Sequence, residues 1–147
     1  MGQRRRAREH ALQMLFQLDL TGAAPADVFR EFWSERPTSD EMRAFSEALV
    51  LGVQSRRDEL DRWIRGSAEH WRLERMAVVD RNVLRLALHE MLSDDAPPPA
   101  VVIDEAIEIA KKFGSAESGG FVNGILDAVR KRVERGEIVL RPIENGR

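Results

Sequence analysis

Four arginines fall within five positions, Arg4, Arg5, Arg6 and Arg8, and lead straight into an apolar-periodic segment. Guanidinium groups at that density pair bidentately with phosphate oxygens and stack on exposed bases, so the cluster is a candidate RNA contact. On a helix, Arg4 and Arg8 share a face, and Arg5 has Glu9 within pairing distance at i, i+4. Short basic runs also occur as solvated termini, and composition alone leaves both readings standing.

The other residue types that carry chemistry are scattered. His10, His70 and His89 lie far apart. His89-Glu90 begins like a zinc-protease helix, but Ser93 stands where the second histidine is required. The stretch from Gly114 to Gly120 lacks the Lys-Ser/Thr of a phosphate-binding loop, and it follows a helical pattern instead of a strand. Asp104 and Glu105 sit in the first turn of a predicted helix, where the macrodipole already favours carboxylates. There is no cysteine, so thiolate metal sites, disulfides and cysteine nucleophiles are excluded. The expectation is a protein that is not an enzyme and carries no cofactor or metal.

The elements that must position the arginines read as helices almost throughout. Ala7, Ala11, Leu15 and Leu18 form an apolar stripe that Thr21-Gly22 should end. Pro25 opens a short second helix through Val28, Phe32 and Trp33, and Pro37 breaks it. Thr38 and Glu41 have capping-box spacing, and the helix they start runs through Met42, Leu49, Val53, Leu60 and Ile64 towards Gly66. The apolar residues from Met76 to Met91 cover more than one face, which predicts a central helix. After the Pro97-Pro98-Pro99 elbow come a helix ending at Phe113-Gly114 and a last one from Phe121 to Val133, closed by Gly136. Val101–Ile103 and Ile138–Leu140 are the only strand-like runs, and each is too short to seed a sheet. The fold class expected is all-α, a compact single-domain bundle of about six or seven helices.

At 147 residues the chain suits one domain spanning 1–147, with residues 1–8 as a basic arm and 137–147 as a short tail. The net charge of −2 divides into +3 on the first nine residues and −5 on the remainder. A basic end on an acidic body suits one anionic and one cationic partner. No run approaches 18 apolar residues, and Glu9, His10, Gln13 and Gln17 interrupt any signal core, so a cytoplasmic protein without a membrane span is expected.

The residues also resemble a family. Arg4-Arg5-Arg6-Ala7-Arg8-Glu9-His10-Ala11-Leu12-Gln13-Met14-Leu15-Phe16 looks like the opening helix of the NusB family. The likeness continues at Asp80 to Glu90, is strongest from Pro99 to Lys111, and returns at Phe113-Gly114 and Phe121-Val122-Asn123-Gly124-Ile125-Leu126-Asp127. Between Pro25 and Arg72 only the helical character matches. The resemblance implies a non-enzymatic transcription antitermination factor of NusB-like fold. Its implied partners are boxA-containing rRNA leader RNA, the NusE ribosomal protein and the transcription elongation complex; some members also form a homodimer. A related helical domain occurs in rRNA cytosine methyltransferases; 147 residues are too few for their catalytic part, which leaves a stand-alone RNA-binding domain related to theirs as a minor alternative.

With that resemblance, Arg4, Arg5, Arg6 and Arg8 become the expected RNA contacts. The turn from Glu117 to Phe121 is a second candidate, because Ser118, Gly119 and Gly120 let a backbone approach a nucleotide and Phe121 offers a ring. Phe121 equally fits the apolar period of the last helix, and Phe16 has the same double standing. Glu74, Arg75, Asp80 and Arg81 flank the central helix and are candidates for orienting a protein partner. Asn123 and Asp104 read as structural. The competing view is a helical protein-interaction scaffold whose basic end never meets nucleic acid.

Overall fold

A computed structural model describes residues 2–68 and 71–138; His70 and the tail beyond residue 138 lie outside the described residues. Among these residues there are seven α-helices and one 3₁₀ turn. They are α1 (Gly2–Thr21), α2 (Pro25–Ser34), α3 (Asp40–Ser55), α4 (Arg57–Ser67), a turn at Leu73–Arg75, α5 (Val78–Met91), α6 (Pro99–Phe113) and α7 (Ser118–Glu134). The all-α expectation holds, with seven helices.

The core forms around α5, in which every residue from Asn82 onward is buried. Helices α1, α3, α4, α6 and α7 all pack against it, while α2 lies on α1. Val83, Leu84, Ala87 and Leu88 therefore meet apolar partners on several sides. This is what a helix with apolar residues around most of its circumference requires. Residues 2–8 form no separate arm: they are the first two turns of α1.

Two helix ends behave as the sequence predicts. Gly22 and Gly136 adopt positive φ, +69° and +76°, where a β-carbon would be strained. The start of α3 differs by one residue: Ser39, not Thr38, accepts the Met42 amide through its hydroxyl at 3.2 Å.

The long helix expected from Thr38 to Gly66 is broken at Arg56, whose φ of −112° and ψ of 13° leave the helical region. Beside the break, the Ser55 hydroxyl donates to the Gly52 carbonyl at 3.0 Å, offering that acceptor an alternative to regular helix bonding. The apolar period from Val53 to Leu60 and Ile64 runs through the break in phase, so nothing in the pattern marks it.

One close approach inside the core depends on a glycine. A β-carbon at Gly52 would collide with the Nε2–Cε1 edge of the His89 ring, which is buried against α3. Burial, reinforced by the Arg56 charge, lowers the His89 pKa to about 4. At neutral pH this histidine is therefore neutral.

Two outcomes are expected. Gly52→Ala should destabilise the fold by ~1–3 kcal/mol through overpacking, and Gly52→Ala/His89→Ala should lose less than the two single changes added together. Urea unfolding of the four proteins measures both. Because the folded His89 pKa lies below its unfolded value of 6.5, the contribution is present at pH 7 and is lost as pH falls towards 4. The loss amounts to about 3 kcal/mol across that window. A His89→Leu variant should show a flatter stability profile between pH 6.5 and 4, read from urea midpoints.

Candidate nucleic-acid interface

Helix α1 carries the arginines, and two sets of ion pairs decide how it lies. At its C-terminal end, Asp19 accepts from Arg81 Nε at 2.8 Å, Asn82 Nδ2 at 2.9 Å and Arg85 Nη1 at 3.0 Å. Arg85, only 3% exposed, also grips Asp61 of α4 with two bonds of 2.7 and 3.1 Å. Burial works to raise the Asp19 pKa, but the Arg81 and Asn82 hydrogen bonds and the Arg85 charge outweigh it. The carboxyl is held far below the usual range. At the other end, Arg8 forms a bidentate pair with Glu90 at 2.7 and 3.0 Å. These contacts set α1 antiparallel to α5.

The four arginines, alike in sequence, take four different positions. Arg8 is largely withdrawn from solvent, its side chain 13% exposed against Glu90. Arg5 is bidentate to Glu105 of α6, at 2.9 and 2.8 Å, and remains 35% exposed. Arg4 is exposed and lays its guanidinium 4.0 Å over the Phe45 ring of α3. Arg6 is exposed beside His10. The His10 ring is half-buried against Phe32 and Trp33, and burial followed by the Arg6 and Arg36 charges lowers its pKa.

The Arg5–Glu9 pair suggested by helical spacing does not form. Arg5 turns to Glu105, and Glu9 instead accepts from Lys112 of α6 at 3.0 Å. An i, i+4 pair on an exposed helix is worth only ~0.2–0.5 kcal/mol, whereas a two-bond guanidinium–carboxylate pair is stronger and more directional. The Arg5 hydrogen bond holds the Glu105 carboxyl below its ordinary range, against the opposing effect of burial. Glu90, Glu105, Phe45 and Lys112 were not visible as parts of this surface from spacing, because each comes from a distant segment.

Beyond Lys112 the chain turns into α7. A β-carbon at Gly114 would come within 2.8 Å of the Ala110 carbonyl and collide with the Ser118 hydroxyl. That hydroxyl accepts the Ser115 amide at 2.9 Å and is buried, so Ser118 fastens the loop from inside. Glu117 and Gly120 are exposed, while Gly119 lies beneath the Lys111 stem, whose Cγ would stand 3.3 Å from a β-carbon there. Phe121 is half-buried, packs on the core, and meets Trp71 edge to face with ring centroids 5.4 Å apart. Phe16 is half-buried as well.

The second candidate group clusters less well. Glu74 is exposed and pairs with Arg65 at 3.0 Å, and Arg75 is exposed. Arg81 is committed to Asp19, and Asp80 is buried at the start of α5, with no hydrogen-bond partner for Oδ1 among the described residues. Only the α5 N-terminal corner reaches the surface, since the rest of the helix is enclosed.

The surface along α1, α6 and the α6–α7 loop thus brings guanidinium groups together with aromatic rings, a combination chemically suited to anions and flat ligands. Among the described residues, no cluster of three or more His, Asp or Glu side chains has metal-binding geometry. Nor is any described helix long and apolar enough to cross a membrane.

Known proteins resemble the chain along nearly all of its length. A family model described as the NusB family matches residues 5–131. The transcription antitermination protein NusB of Sorangium cellulosum is 47% identical over 135 residues, covering 92% of this chain and 96% of that protein. A solved structure of T. maritima NusB superposes with a TM-score of 0.81 at 37% identity, covering 92% of this chain and 97% of that one. A crystal structure of the antitermination factors NusB and NusE in complex with dsRNA gives a TM-score of 0.79 at 30% identity, covering 89% and 98%.

The different surroundings of the arginines make a stability prediction. Arg8→Ala should cost ~1–3 kcal/mol by leaving Glu90 buried without its partner. Arg8→Ala/Glu90→Ala should recover part of that loss, and Arg4→Ala should leave the urea midpoint nearly unchanged.

Proposed function

The chain belongs to the NusB family of transcription antitermination proteins, and from that premise we propose that it binds the boxA element of rRNA leader transcripts together with the NusE ribosomal protein. In that role it promotes processive rRNA transcription within the elongation complex. The observation that carries the reading is the arginine-rich start of α1, with Arg4 and Arg6 exposed and Arg5 and Arg8 anchored by Glu105 and Glu90. The similar chain found with NusE and dsRNA supports both partners.

In this reading the arginines divide the work. Arg4 and Arg6 engage phosphates directly, and Arg5 does so from the edge of its pair with Glu105. Arg8 contributes chiefly by holding α1 in register with α5. The backbone near Gly120, the Glu117 carboxylate and the Phe121 ring form the second contact, with Ser118 setting the loop from within and Phe16 lending apolar surface on α1. The exposed corner at Glu74 and Arg75, beside Asp80 and Arg81, faces the protein partner, and the net negative body steers a basic ribosomal protein towards it. The whole chain acts as one domain in the cytoplasm, and its function lies in contact instead of catalysis. Self-association into a homodimer belongs to the same proposal.

A salt titration of binding to single-stranded boxA RNA, with and without the NusE protein, tests the reading. Log affinity should fall linearly with log salt. Arg4→Ala/Arg6→Ala should reduce the slope by about 0.7 for each phosphate contact removed. Absence of RNA binding by the wild-type protein under every condition would overturn the proposal.

A further inference from the structure

Of the three tryptophans, two are explained by the fold. Trp33 is buried and donates its indole N–H to Glu47 at 2.8 Å, and Trp63 is half-buried beneath the Arg132 guanidinium. Trp71 is 58% exposed, just before the 3₁₀ turn. Burying an indole is among the larger hydrophobic gains open to a side chain, so an exposed one held in a defined position calls for an occupant. Its position is defined: the ring stands at 86° to Phe121, which is itself anchored on the core. A rigid buttress of this kind lowers the entropic cost of presenting an aromatic surface to a ligand.

The surroundings indicate the ligand's chemistry. Gly119 and Gly120 place no side chain beside Phe121, and a β-carbon at Gly120 would meet nothing within 4 Å. The Lys111 stem lies over Gly119, and its side chain is 63% exposed. Lys112 next to it pairs with Glu9 of α1, joining this corner to the helix that carries the arginines. Along α6, Glu105, which holds Arg5, and Lys111 are separated by about 9 Å at the helical rise. Cations along α6, Arg5 beside Glu105 and Lys111 beside Glu108, lead to an open aromatic pair at Phe121, which matches a strand with a charged backbone and flat, unstacked bases.

We propose that Trp71, buttressed by Phe121, is a stacking platform for an unpaired RNA base, extending the RNA-binding surface past the α6–α7 loop. The inference rests on the RNA-binding function proposed above and adds a residue to it. Stacking acts through the π-face and not through phosphate charge, so its loss weakens binding without altering counterion release.

Titration with single-stranded boxA RNA, read by tryptophan fluorescence and by an independent affinity assay, separates the possibilities. Wild-type fluorescence should be quenched by RNA. Trp71→Phe should abolish most of the quench while keeping most of the affinity, since a ring remains. Trp71→Ala should weaken binding roughly tenfold, within the range for one stacked base, with the salt slope unchanged. Circular dichroism confirms that the variants, altered at an exposed site, are folded. Wild-type-like affinity of Trp71→Ala would overturn the stacking role while leaving the RNA-binding function intact. A quench produced by the NusE protein but not by RNA would assign Trp71 to the protein partner and also overturn it. Failure of the wild-type protein to bind RNA would remove both readings.

Discussion

A guanidinium charge buried at the centre of the bundle constrains everything around it. Arg85 lies on the most enclosed helix and is nearly inaccessible to water. A charge in that position is tolerable only with close, hydrogen-bonded counter-charges. Asp61 of α4 and Asp19 of α1 supply them, with Asn82 bonded to both Arg85 and Asp19. Meeting that electrostatic demand brings three helices to one point. It also sets the direction and register of α1, so that Arg8 arrives at Glu90 at the opposite end of α5. Hydrophobic burial supplies the drive for collapse, and the polar network adds directional contacts to the close-packed apolar residues of α1.

The placement of α1 sets how the proposed recognition surface is presented. Its first turns are held along α6 by paired charges, which limits how many arginines remain available. A carboxylate beside an arginine both aims the guanidinium and competes with an incoming phosphate. Arg5 with Glu105 stands at that balance, partly exposed, whereas Arg8 is removed from it by burial. Arg4 escapes the competition by lying on Phe45, where an aromatic face orients the group without neutralising its charge. A cluster that is uniform in sequence therefore becomes graded in space.

The α6–α7 loop follows the same pattern of inner support and outer exposure. Its small residues suggest open backbone, but their roles differ. Gly114 is needed for close approach to Ala110 and Ser118, Gly119 for the passage of Lys111, and Gly120 leaves open space. Ser118 ties the loop together from inside, and Phe121 reaches the core while supporting Trp71 at the surface. The core role and the surface role considered for Phe121 are compatible, because a half-buried ring has two sides. Trp71 carries no local signal in the sequence, because its partner Phe121 lies fifty residues away and its own stretch shows only helical character.

Local chemistry was enough to determine the helices, most of their ends, the all-α class and the family. Period, proline, glycine and ordered motifs act over a few residues, and those interactions survive in the linear chain. The same information located the arginines and the α6–α7 loop as candidates. It could not divide the arginines among Glu90, Glu105, Phe45 and solvent, because that depends on which distant helix lies opposite. Nor could it reveal the break at Arg56, since the apolar phase is unchanged across it, or the burial of Asp80, which looks like a surface charge in sequence. Tertiary structure decided these features because ion pairing and burial are properties of neighbours in space, and α5 brings those neighbours together only when the whole chain has folded.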